Sequence, residues 1–82
     1  MMKTYLGAKI VRAKPMTRKE YNDFRGWQLP ENECGEDAGY LVEYVDGGTA
    51  NTAEYKGYVS WSPARQFENA YNALPPNISI NF

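Results

Sequence analysis

Eighty-two residues, 43% hydrophobic and 23% charged with a formal net charge of −1, make a chain that should fold; they exclude a disordered chain and leave no apolar run near the roughly 20 residues of a membrane span. A single cysteine, Cys34, and no histidine exclude an internal disulfide and leave a structural zinc without its usual ligands, which fits a reducing, cytoplasmic location. One domain over residues 1–82 is expected, with the limited burial of a small chain, a limit that homo-oligomerisation would ease.

Charge is unevenly spread along the chain. Lys3, Lys9, Arg12, Lys14, Arg18, Lys19 and Arg25 stand against Glu20 and Asp23, whereas from Trp27 onward Lys56 and Arg65 face eight carboxylates. Such a dipolar sequence can steer an anion or a charged partner, or its halves can interleave on a mixed surface.

The first segment, Lys3 to Ala13, carries Tyr5, Leu6, Ile10 and Val11 and stops at Lys14-Pro15, which disfavours a helix and reads as a strand. Thr17-Arg18-Lys19-Glu20 has capping-box spacing, so a short helix is predicted to about Arg25, with Gly26 at its left-handed stop. Tyr21 and Phe24 share one face of it and are expected to dock on the sheet. From Trp27 to Gly39 the chain is polar and acidic, broken by Pro30 and Gly35, and its stretch 30–38 reads as an exposed loop. Met1-Met2-Lys3-Thr4 leads into no signal-type apolar stretch.

Gly39 to Val45 is rich in β-branched and aromatic residues and is closed by Asp46-Gly47-Gly48, a strand followed by turn chemistry. After a polar connection to Lys56, Gly57 to Trp61 gives a strand that pairs antiparallel with it. Tyr40, Val42 and Tyr44 share one face, Leu41, Glu43 and Val45 the other. Both rows are largely apolar, which either a self-associating sheet or a helix on each face would explain. Ser62-Pro63 then reads as a helix cap and first turn, with Ala64, Phe67, Ala70, Tyr71 and Leu74 as the apolar stripe until Pro75-Pro76. Asn77 to Phe82 alternates like an edge strand, for this sheet or another protomer's. The fold class is therefore α+β, a three-stranded antiparallel sheet in the order β-α-β-β-α with two short helices and room for a C-terminal edge strand.

No enzyme mechanism is signalled. Without histidine there is no imidazole base for Ser60, Ser62 or Cys34, and Glu31, Glu33, Glu36 and Asp37 read as a solvated face. The glycines form no phosphate-cradling motif, so no cofactor and no metal are expected. Binding is the remaining class, and Trp27, Tyr40, Tyr44, Tyr55, Tyr58, Trp61 and Tyr71 are more polar-handled aromatics than so small a core requires.

Three blocks, Met16 to Trp27, Gly39 to Gly48 and Gly57 to Pro63 with Phe67 and Ala70-Tyr71, resemble a small family encoded by tailed phages and prophages, over about residues 3–72. Similar modules precede a domain resembling the Thoeris anti-defence sponges, which capture a host's nucleotide signal. The chain departs from that pattern at Cys34-Gly35, in having no histidine in its hairpin loop, and in the tail from Pro75. The resemblance implies a phage setting in the host cytoplasm and a counter-defence role; the aromatic-rich sheet, the acidic loop and the lack of catalytic groups lead to the expectation of an accessory protein that binds a host protein stoichiometrically. The alternative is a sponge for a nucleotide signal, with Arg12, Lys14, Arg18 and Arg25 meeting phosphates and Trp27, Tyr58 or Trp61 stacking on a base. Nucleic-acid binding is disfavoured by the acidic balance and by cations confined to the first third of the chain.

Overall fold

The computed structural model describes residues 1–45 and 48–75, and in it β1 (Val11–Pro15), α1 (Arg18–Arg25), β2 (Gly39–Tyr44), β3 (Tyr58–Pro63) and α2 (Ala64–Ala70) follow one another. The strands form one antiparallel sheet in the order β1-β2-β3, so β2 is central and β1 and β3 lie on opposite sides of it. This is the α+β architecture, β-α-β-β-α, that the sequence pattern predicts. Among the described residues no helix is long and apolar enough to cross a membrane. The expected strand over Asn77–Phe82 lies outside the described residues, as do Asp46 and Gly47.

Register explains where the first strand sits. Val11 pairs with Tyr44, the last residue of β2, so the stretch from Lys3 to Ile10, expected as strand, has no ladder partner there. It is exposed, with Tyr5 and Leu6 open to solvent, and the strand instead runs on through Pro15. Proline is tolerated because β1 is an edge strand, where a missing N–H can face away from the ladder.

Thr17 to Gly26 behaves as its sequence predicts. The Thr17 hydroxyl accepts from the Glu20 N–H at 3.2 Å, and the Glu20 carboxylate accepts from the Thr17 N–H at 2.8 Å. Gly26, at φ 74°, turns the chain out of the helix in the left-handed region that side chains avoid. The remaining free amides of the first turn are taken by the acidic loop. Arg18 N–H donates to the Asp37 carbonyl at 3.1 Å and Lys19 N–H to the Gly35 carbonyl at 2.9 Å. The loop is thus exposed in its side chains but anchored by its backbone, supplying acceptors that an α-helix cannot give its own first turn.

α1 covers one face of the sheet. Tyr21, Leu41 and Val59 form the buried cluster, with Met16, Phe24, Tyr55 and Trp61 packed round it. Glu43, 5% exposed on that same face, accepts from the Gly57 N–H at 2.9 Å and so fastens the β2–β3 connection to the sheet. On the other face Val42 is buried between its cross-strand neighbours Ala13 and Ser60. α2 lies at the Tyr40 end of that face. Phe67 stacks on Tyr40 with ring centroids 4.4 Å apart, and the Tyr40 hydroxyl donates to Glu68 at 2.7 Å. A helix on each face is therefore what the two apolar rows of β2 meet.

Two expectations about α2 are corrected. Ser62 does not cap it: β3 continues through Pro63, the Ser62 hydroxyl donates to the Pro63 carbonyl at 3.3 Å, and the first helical amide, Ala64 N–H, donates to the Ala38 carbonyl at 3.0 Å. The helix also ends at Ala70, with Tyr71 extended and Leu74 55% exposed, because the apolar surface it covers reaches no further than the Tyr40, Phe67 and Tyr71 rings.

The free edge of β3 is protected residue by residue. The Asn51 carboxamide accepts from the Val59 N–H at 2.8 Å and donates to the Val59 carbonyl at 2.9 Å, so the Val59 backbone points away from β2. Alternation in an antiparallel ladder gives Trp61 and Pro63 the same outward phase. Pro63 has no N–H to offer, which leaves Trp61 as the residue of β3 whose outward N–H and carbonyl no described side chain covers.

Candidate functional site

Arg18, Tyr21, Asn22 and Arg25 recur at helical spacing along one side of α1, and that side overhangs the β3 edge. Between them and Tyr58 to Trp61 lies an open cleft of about 210 Å³. The left-handed turn at Gly26 brings Trp27 back onto the helix end: its N–H donates to the Asn22 carbonyl at 2.8 Å and its ring meets Tyr21 edge-on at 5.9 Å. Trp61 is held at the other end by its indole N–H, which donates to the Met16 carbonyl at 2.7 Å.

Each arginine lies on an indole. The Arg18 guanidinium is 4.8 Å from the Trp61 ring and pairs with Glu33 at 2.7 Å. Arg25 is 4.4 Å from the Trp27 ring and donates to the Tyr21 hydroxyl at 2.8 Å. No described carboxylate makes an ion pair with Arg25, so its charge is held by ring faces and a neutral oxygen and stays available to an anion. A flat guanidinium lying on an aromatic face still presents N–H groups at its edge in a fork that fits a carboxylate or phosphate.

Asn22 adds a second kind of chemistry. The residue is 7% exposed and lines the cleft, and its backbone carbonyl accepts from the Gly26 and Trp27 N–H groups. No buried side-chain nitrogen or oxygen among the described residues lacks a partner, so the Asn22 carboxamide, with no protein partner, still reaches solvent and can serve a bound group in the cleft it lines. Ser60 also borders the cleft, although its side chain belongs to the Val42 face of the sheet. No family model, curated protein or solved structure matches the chain. What the cleft can take must therefore be read from its own groups.

Of the seven residues singled out in the sequence, Arg18, Arg25, Trp27, Tyr58 and Trp61 come together here. Arg12 and Lys14 do not. They lie on β1, the far side of the sheet from β3, with Arg12 opposite Glu43 and the Lys14 ammonium 6.0 Å from the Tyr55 ring. Sequence reasoning missed Tyr21, Asn22, Val59 and Ser60. The signal for Asn22 was its position four residues after Arg18 and three before Arg25, on the arginine side of the helix. Among the described residues no cluster of three Cys, Asp or Glu side chains could hold a metal.

Proposed function

We propose that this chain is a non-catalytic binding protein that captures a host protein stoichiometrically at the α1–β3 cleft, in the phage or prophage setting and counter-defence role that its motif blocks imply. The observation that carries this reading is the clustering of two arginines on two indoles, beside the half-exposed Tyr58. Tryptophan, tyrosine and arginine are the residues that dominate binding energy at protein interfaces, and Trp27 is 52% exposed at the rim. Affinity capture from host lysate tests it. The wild-type protein should retain one partner in a fixed ratio, and the double variant Arg25→Ala/Trp27→Ala should lose it while still showing the wild-type circular dichroism spectrum and a cooperative melt.

A nucleotide sponge is the second reading, favoured by guanidinium and carboxamide groups set between aromatic walls. Its difficulty is size: about 210 Å³ lies below the roughly 300–1,000 Å³ of ordinary small-molecule sites and suits one inserted side chain better than a base with its phosphates. Native mass spectrometry of protein taken from phage-exposed host cells separates the two, since a retained mass in the nucleotide range supports the sponge. The same spectrum reports whether the protein is the homo-oligomer that its small core favours.

A further inference from the structure

The cleft and the unprotected step of the β3 edge are the same place. Trp61 lines the cleft, and its outward N–H and carbonyl are the edge groups that Asn51 and Pro63 leave uncovered. A partner backbone laid along β3 could exchange two hydrogen bonds there with a single residue, while Asn51 on one side and Pro63 on the other limit pairing to about that one step. In a sheet, residues directly opposite each other point to the same face. The side chain opposite Trp61 would point as Trp61 does, toward α1, where it meets Arg18, Asn22 and Arg25.

Resting on the binding reading above, we infer that the cleft receives one extended acidic residue, Asp or Glu, of a partner protein: its backbone pairs with Trp61 and its carboxylate is held by Arg25 and Asn22. Charge complementarity selects the acid. Arg25 has no ion-pair partner among the described residues, and the carboxamide of Asn22, which lines the cleft, offers a donor to a carboxylate oxygen. Arg18, already neutralised by Glu33 at 2.7 Å, contributes its stacked position on Trp61 more than its charge. An inserted carboxylate thereby accepts from an amide and neutralises a guanidinium at once, and a neutral side chain cannot do the second.

The test uses the full chain, ¹⁵N-labelled, titrated with a capped pentapeptide that has a central glutamate between valines. The Trp61 amide and the Arg25 Nε–H should move together and saturate. Replacing the central glutamate by glutamine, or methylating its backbone nitrogen, should each weaken binding about tenfold, by removing a charge-assisted and a backbone hydrogen bond respectively. Asn22→Asp, which puts a competing carboxylate into the cleft that Arg25 lines without changing size, should weaken the peptide by a similar factor while the protein still melts cooperatively, and this keeps the test readable where Arg25→Ala perturbs folding. Absence of shifts at Trp61 and Arg25, equal affinity for the glutamine peptide, or ADP moving these signals where the peptide does not, overturns the inference. The binding reading fails separately. Host-protein capture that survives Arg25→Ala/Trp27→Ala removes both, whereas capture lost in that variant with no peptide shifts removes the acidic-strand mode alone.

Discussion

The Trp61 indole lies across Gly39, and a Cβ placed on Gly39 would run into that ring and into the Ser62 carbonyl. Gly39→Ala therefore has to push the indole off the sheet or bend the strand pair, a small-to-large change of the kind that costs about 1–3 kcal/mol. For a domain of this size that lowers the thermal midpoint by roughly 4–8 °C per kcal/mol, and calorimetry with tryptophan emission should show both the drop and an altered Trp61 signal. Combining it with Trp61→Leu should recover part of the loss, because the backbone clash with Ser62 remains. The same residue scale shows what was legible. Arg18, Arg25, Trp27, Tyr58 and Trp61 could be named from chemistry alone, since cations and amphipathic aromatics are visible in any sequence. Arg12 and Lys14 look identical by that criterion, and they are separated from the others only by the strand order, which puts β1 and β3 on opposite sides of β2.

α1 was readable to its ends because its signals are local, from the Thr17 cap to the Gly26 stop. Thr17→Ala should cost about 1 kcal/mol in thermal or urea unfolding, the usual loss for an N-cap hydroxyl. Glu20 provides the pH signature. The Thr17 backbone N–H, and after it the Thr17 hydroxyl, hold its carboxyl below the usual 4.5. A depressed carboxylate adds stability that is present above pH 4.5 and is lost as pH falls through the lower folded-state value. Glu20→Gln should therefore flatten the acid limb of the stability curve below pH 4.5 and leave the alkaline limb unchanged.

Elements that depend on partners were less legible. β1 starts where β2 offers Tyr44 as a partner, not where apolar residues begin, and α2 is capped by Ala38 from a distant loop in place of the adjacent Ser62. Asn51 belongs to this class, since its role exists only once β3 has an edge to cover. Removing both of its hydrogen bonds with Asn51→Ala should cost about 1–3 kcal/mol and expose the Val59 backbone as a template for a second chain. Concentration-dependent association beyond the wild-type species in sedimentation velocity, with a lowered midpoint, is the expected outcome; an unchanged sedimentation profile would mean that Asn51 stabilises the loop without guarding the edge.

Across the whole molecule, the cations lean on rings more than on carboxylates. Among the described residues Lys9 lies over Tyr44, Lys14 over Tyr55, Arg18 over Trp61 and Arg25 over both Tyr21 and Trp27, against the two ion pairs Arg18–Glu33 and Lys19–Asp23. Of the two ion pairs, Arg18–Glu33 alone joins the basic segment to the acidic one, and Lys14 and Lys19 on one side and Glu31, Glu36 and Asp37 on the other remain exposed. The sequence dipole is thus only partly interleaved by folding. Salt then separates fold from function. Raising ionic strength from 0.1 to 1 M shortens the screening length from about 10 to about 3 Å, which weakens attraction between exposed charges and a partner but acts little on a guanidinium in contact with an indole. The thermal midpoint should move by no more than about 2 °C over that range, less than the roughly 4–8 °C that 1 kcal/mol would shift it, since exposed pairs contribute little. Affinity for the captured partner should fall about tenfold or more, chiefly through slower association. A midpoint that dropped steeply with salt would instead assign the carboxylates, not the aromatic faces, the task of holding the basic segment in place.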